Sequence, residues 1–138
     1  MKKQKRIAGA LRWLLQSEQD LDDAKFNLSG GRYNVACFLA QQSAEKILKA
    51  YLFRKGAYSV WGHSVADLCD DATKYDMGFE KLFSIAGPLD MYYMPTRYPD
   101  SLPEGIPSKA FIEEDAGRAI DMAEKIMDFV KSKENFMK

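Results

Sequence analysis

Arg97 stands in the most unusual stretch of the chain. Around it, MYYMPTRYPDSLPEGIP gathers Tyr92, Tyr93 and Tyr98, while Pro95, Pro99, Pro103 and Pro107 recur every four residues. A guanidinium beside aromatic rings can hold a phosphate while a base stacks on the rings. The same residues also support a purely structural role, in which Arg97 and Asp100 close the loop as an ion pair and the tyrosines pack on the body of the protein. The prolines predict a rigid, extended loop without regular helix, and ordered loops of this length tend to serve binding or catalysis.

A second polar set, Gln42, Glu45, Lys46 and Lys49, lies on one side of the stretch from Tyr33 to Arg54. Glu45 and Lys49 have the i,i+4 spacing of an ion pair on an exposed helix surface. This set reads either as a solvated face or as the wall of a cleft that brings positive charge to a nucleotide. His63, the one histidine, stands beside Ser64 and reads as a helix-start residue hydrogen-bonded locally; lying upstream of Arg97, it could join that residue only through the fold or from the other subunit. Glu113, Glu114 and Asp115 are consecutive, so they point around a helix rather than at one metal ion and suit the dipole of a helix start. Cys37 and Cys69 have neither zinc-ligand nor disulfide-framework spacing and read as buried thiols in a reducing cytosol.

The elements that must position these groups are helical. Tyr33, Cys37, Ala40, Ala44, Ile47, Leu48 and Tyr51 recur at three-and-four spacing with no Gly or Pro between them, which makes Tyr33–Arg54 the central helix. Val35, Phe38 and Phe53 project from its other side, so it should touch a second layer or a second subunit, with Phe38 as the apolar centre of any dimer formed there. A first helix spans about Lys5 to Leu28 on the stripe Ile7, Leu11, Leu14, Leu21 and Leu28, and Gly30-Gly31 stops it. So short a connection forces an antiparallel hairpin.

Gly56 ends the second helix, and Tyr58, Val60 and Trp61 are the expected anchors of the loop that follows. Ser64 and Asp67 resemble a capping box before a short third helix. Phe79 to Leu89 forms a fourth, which Gly87-Pro88 should kink or break. The last helix runs from about Ile112 to Ser132, and the tail ENFMK is expected to fray. No strand pattern emerges. The architecture expected is all-α, an antiparallel up-and-down bundle of four or five helices in one domain over residues 1–138.

The totals narrow the function classes. Hydrophobic residues make up 46% and 20 basic side chains balance 20 acidic ones, a globular composition without the net basic footprint of a dedicated nucleic-acid binder. Arg12 interrupts the apolar run that follows the N-terminal lysines, which argues against a secretion signal, and no segment approaches a membrane span.

The order of a long first helix, a Gly-rich turn, YNVACFLAQQSAEKILKAYL, a GHS helix start and a tyrosine-rich RYP loop before a final amphipathic helix resembles the HEPN domain family. The resemblance covers nearly the whole chain, and FLAQQSAEKILKAYL and YYMPTRYPD are its most specific parts. It implies an all-helical, usually dimeric domain whose name records a proposed role in nucleotide binding. Members of this type are often made beside a minimal nucleotidyltransferase and act with it as a toxin–antitoxin-like pair. Other branches are metal-independent ribonucleases, many of them toxins, in which an Arg is followed by a His after four to six intervening residues and both subunits supply the motif at the dimer cleft. This chain departs from that motif. With Arg97 as its arginine, the histidine position falls on Leu102, Pro103 or Glu104, none of which shuttles protons at neutral pH as imidazole does.

The expectation is therefore a cytoplasmic homodimer without cofactor or metal that binds a nucleotide or RNA phosphate near Arg97 and works with a separately encoded nucleotidyltransferase. A toxin-type endoribonuclease using Arg97 and a substitute acid is the second reading. A non-catalytic interaction scaffold, with the tyrosine loop as its partner surface, is the third.

Overall fold

A computed structural model describes residues 2–57 and 60–138. Its first two helices, α1 (Lys2–Ser29) and α2 (Tyr33–Arg54), form the expected hairpin. Gly31 makes the turn possible by adopting φ 76°, a left-handed conformation that a side chain disfavours. Arg32 N–H then reaches Asn27 O at 2.8 Å and Gly31 N–H reaches Leu28 O at 3.1 Å, which satisfies the last carbonyls of α1. Gly56, with φ 83°, closes α2 by the same paired bonds, from Ala57 N–H to Leu52 O and from Gly56 N–H to Phe53 O.

The hairpin is tight because small residues meet in its middle. Ser17 Oγ donates to Ser43 O at 2.7 Å, Ser43 Oγ donates to Ser17 O at 2.9 Å, and both side chains are fully buried. Ala10, Ala24, Ala36, Ala40 and Ala44 continue that close approach. The last helix, α6 (Glu113–Lys133), completes a three-helix layer and runs antiparallel to α1, with Lys25–Glu124 and Glu18–Lys131 ion pairs along the seam. Arg54 meets Glu134 at its far end, so α2 and α6 share a direction.

Between α2 and α6 the chain makes α3 (Val65–Ala72), a 3₁₀ turn over Met77–Leu82, α4 (Phe83–Asp90), a second 3₁₀ turn over Pro99–Ser101, and the one-turn α5 (Pro107–Ala110). The described residues are all-α, with six α-helices where periodicity separates four or five. Two prolines account for structure in the loop that was expected to lack it. Pro99 and Pro107 each begin a short turn, because the first turn of a helix needs no N–H from them and their fixed φ suits it. Pro88 lies within the last turn of α4, and the break in that segment falls earlier, where the 3₁₀ turn gives way to α-helix at Leu82 and Phe83.

Two further expectations are corrected. The tail does not fray, since Phe136 is 4% exposed and its carbonyl accepts from Arg54. Trp61 is exposed rather than an anchor, Val60 does pack on the core, and Tyr58 lies outside the described residues. Cys37 and Cys69 are buried free thiols, and loss of hydration pushes each up to about 12.

Candidate functional site

The loop that carries Arg97 is built outward from the end of α4. Asp90 accepts from Val65 N–H at 2.7 Å, from Ala66 N–H at 3.0 Å and from Ser64 Oγ at 2.8 Å. Its carboxylate therefore fills the N-terminus of α3, where two orphan helix donors would otherwise need water. Ser64 is the expected cap, since its Oγ accepts from Asp67 N–H at 3.1 Å, but its charged partner is Asp90. Gln41 in α2 donates to the backbone carbonyl of His63 at 2.8 Å. The residues on either side of α3 and α4 are thus pinned to the central helix.

Beyond Asp90, Thr96 Oγ1 donates to Tyr92 O at 2.6 Å, and Asn34 of α2 donates to Thr96 O at 3.0 Å. Arg97 and Tyr98 N–H groups both reach Met94 O at 3.1 Å, which curls the segment into a turn. That turn lays the Arg97 guanidinium over three rings, at 4.3 Å from Phe38, 4.6 Å from Tyr93 and 4.9 Å from Tyr98. Arg97 Nε donates to Tyr93 O at 3.0 Å. No carboxylate of the described residues pairs with Arg97; Asp100 is exposed and makes no ion pair with it.

Tyr92 departs from the expected cluster. Its ring packs edge-on against Phe111 at 5.9 Å, and burial raises its phenol, so it belongs to the packing beneath the loop rather than to the guanidinium. Phe38 takes its place. Its projection from the back of α2 was legible, but only the folded loop shows that it lies under a cation.

His63 is the second difference. Its ring stacks on Tyr93 with centroids 5.2 Å apart and planes 16° apart, so one tyrosine touches both the imidazole and the guanidinium. Its Nδ1 lies 3.3 Å from Glu45 Oε1, and the side chain is 60% exposed. The expected local hydrogen bond is not made: the backbone carbonyl of His63 accepts from Gln41 and its ring meets Glu45, both on α2. The fold brings the imidazole that the sequence lacks after Arg97 to one ring's distance from it. His63, Ser64, Asp90 and Tyr93 line an open pocket of about 210 Å³ there.

The polar face of α2 is not solvated. Glu45 is 2% and Lys49 7% exposed, joined at 3.2 Å, and Gln42 donates to Gln41 Oε1 and to Glu45 Oε1. Lys46 is paired with Asp20 of α1 at 2.5 Å. These lysines are paired within the fold, Lys46 with Asp20 and Lys49 with Glu45. Glu45 instead acts as an acidic floor under His63: with the proton on Nδ1, the ring donates to Glu45 and leaves Nε2 as an acceptor. No group of three or more His, Cys, Asp or Glu among the described residues could hold a metal ion. Asp115 accepts from Ile112 N–H at 2.9 Å and so caps α6.

No helix of the described residues is long and apolar enough to cross a membrane. Among curated proteins none matches the chain. A family model for the HEPN domain matches residues 10–133. The chain is similar to the crystal structure of TT1696 from Thermus thermophilus, with 41% identity over 91% of this chain and 98% of that one and a TM-score of 0.86. It is also similar to ST0689, an archaeal HEPN homologue, at 37% identity, 90% and 96% coverage and a TM-score of 0.75. A HEPN domain protein (TM0613) from Thermotoga maritima aligns at 36% identity, 88% and 95% coverage and a TM-score of 0.69. Matched in sequence along most of its length and in fold to structures that cover it almost end to end, the chain belongs to the HEPN domain family.

Proposed function

We propose that the protein is a homodimeric module that binds a nucleotide or RNA phosphate at the Arg97 turn and acts with a separately encoded nucleotidyltransferase as a toxin–antitoxin-like pair. One observation carries the phosphate reading. Arg97 is held by a backbone carbonyl and three rings, with no carboxylate among the described residues to neutralise it. A guanidinium so held loses little further freedom on meeting a phosphate, and the rings around it offer a base a surface to stack on.

The test is a thermal-shift panel of nucleotides on the purified protein and on Arg97→Ala. A ligand at one hundred times its Kd stabilises by about 2.7 kcal/mol. The shift should vanish in the variant, whose unliganded melting point falls by about 4–8 °C as the backbone bond and ring contacts, together about 1–2 kcal/mol, are lost. A shift that survives Arg97→Ala removes the assignment. Co-migration with a nucleotidyltransferase encoded beside it, and a dimer mass in solution, test the other two parts.

The His63–Glu45 pair favours a second reading, the metal-independent endoribonuclease. A carboxylate that orients imidazole from below, next to a cation that can hold a phosphoryl oxygen, is an arrangement suited to general acid–base work on RNA. Cleavage of RNA that is lost in both His63→Ala and Arg97→Ala supports it. No cleavage by the wild-type dimer leaves the binding module standing alone.

A further inference from the structure

The balanced total conceals a polar distribution of charge. Residues 1–17 contain Lys2, Lys3, Lys5, Arg6 and Arg12 and no acid, the first being Glu18. None of these five cations is ion-paired within the described residues. They lie on α1, and its face at Lys2, Lys5, Arg6, Gly9, Arg12 and Gln16 follows the helical repeat.

That face carries aromatic rings as well as charge. Trp13 stacks on Phe53 of α2 with centroids 6.1 Å apart and planes 16° apart, and Lys49 Nζ lies 5.3 Å from the Trp13 ring. A groove of about 420 Å³ runs past Arg12, Trp13 and Gln16, and another of about 530 Å³ runs past Lys2, Lys5, Arg6 and Phe53. Both include Gly9, where a Cβ would meet nothing within 4 Å. Glycine inside a helix costs stability, and no neighbour requires it here, so its effect is to leave the saddle between the two grooves open.

A line of contacts joins this face to the Arg97 turn, passing beneath the surface at Glu45 and Lys49, which are 2% and 7% exposed. Arg97 and His63 share Tyr93, His63 faces Glu45, Glu45 binds Lys49, and Lys49 lies against Trp13. Along α2 from Phe38 to Phe53 this is about 22 Å at 1.5 Å per residue, the length of about six stacked nucleotides. Cations spaced to meet phosphates and rings that accept any base are the two components of sequence-tolerant single-strand recognition.

We infer that the α1 face with Arg6, Arg12, Trp13 and Phe53 is a track for single-stranded RNA that continues the Arg97 site, so that the ligand is an oligonucleotide rather than a free mononucleotide. This rests on the reading of Arg97 as a phosphate-binding residue. The carboxylates of Glu45 and Asp20 are held by Lys49 and Lys46.

The test uses fluorescein-labelled octauridylate, a duplex RNA of the same length and uridine monophosphate, each with the full chain. In a Trp61→Phe background the emission reports Trp13 alone, and Trp61 is 81% exposed, so its replacement leaves the core intact. Octauridylate is expected to quench that emission and to bind at least ten-fold more tightly than the monophosphate. The double variant Arg6→Glu/Arg12→Glu should weaken the octamer about ten-fold at low salt and flatten its log K against log salt slope by about 1.4, two phosphate contacts at about 0.7 each, without changing monophosphate binding. Gly9→Leu should weaken the octamer while raising the melting temperature, which separates a blocked groove from a damaged fold.

Duplex binding as tight as the octamer, or octamer binding indifferent to both variants, overturns the track. Monophosphate binding that needs Arg97 while the octamer binds no more tightly also overturns it and leaves the Arg97 reading intact. Octamer binding lost in Arg6→Glu/Arg12→Glu but unchanged in Arg97→Ala overturns the Arg97 reading and the continuity of the track with it, and leaves the α1 face alone as the binding surface.

Discussion

Asp90→Ala removes the acceptor that closes α3. Two backbone donors, Val65 N–H at 2.7 Å and Ala66 N–H at 3.0 Å, lose a charged partner, and the Ser64 hydroxyl loses its acceptor at 2.8 Å. Caps of this kind are each worth about 1 kcal/mol, and water can reach the partly exposed site, so the expected cost is about 2 kcal/mol. Asp90→Asn keeps one carbonyl oxygen for Val65 but turns an N–H towards a donor, and should cost about 1 kcal/mol. Asp67→Ala is the internal control. The sequence makes Asp67 half of a capping box, whereas in the fold the acid that bonds the helix start is Asp90, so losing Asp67 should cost no more than about 0.5 kcal/mol of dipole stabilisation. Urea unfolding of all three variants measures the differences, with an unchanged slope showing that each acts on stability rather than on compactness. At about 4 °C per kcal/mol for a chain of this length, the order should also appear in melting temperatures. An Asp67→Ala loss as large as that of Asp90→Ala would refute the assignment of Asp90 as the cap.

Three further outcomes follow from burial. Glu45→Gln leaves Lys49 at 7% exposure without its counter-charge and should cost about 3 kcal/mol, while Glu45→Gln/Lys49→Met should recover most of it; a double variant as unstable as the single contradicts this, by urea titration. Phe136→Ala should cost about 3 kcal/mol, measured the same way, since the tail that carries it is packed rather than free. The Cys37 and Cys69 thiols, each pushed up to about 12 by burial, should react with a thiol reagent at pH 8 only as fast as the chain unfolds. The unfolded thiols lose their protons near pH 8.5 while the folded ones keep them, so the stability this contributes is whole below about pH 8.5 and lost as pH rises towards 12. A melting temperature that is flat from pH 8 to 11 would contradict it.

The long helices were legible because α1, α2 and α6 keep apolar residues at helical spacing over many turns, and Gly31 and Gly56 mark the stops of the first two. What escaped has specific causes. Glu45 and Lys49 have the same i,i+4 spacing whether water or protein covers them, and only the crossing of α2 by its neighbours decides between the two. His63 could not be joined to Arg97 along the chain, because the contact passes through Tyr93 and depends on Asp90 and Gln41 pinning both sides of α3 and α4. Its being the sole imidazole was the available signal. Phe136 lies beyond the last helical repeat, so periodicity says nothing about its burial.

The reciprocal hydroxyl bonds between Ser17 and Ser43 make the α1–α2 hairpin a ratchet as well as a packing surface. Helices joined only by methyl groups can slide a fraction of a turn with little change in contact area. Two opposed donor–acceptor pairs fix the axial setting, and Glu45 lies half a turn further along the same helix. Alanine at both serines would preserve the separation of the two rods while freeing their relative travel, so the drift would be felt first at the carboxylate beneath His63, well before the bundle itself came apart.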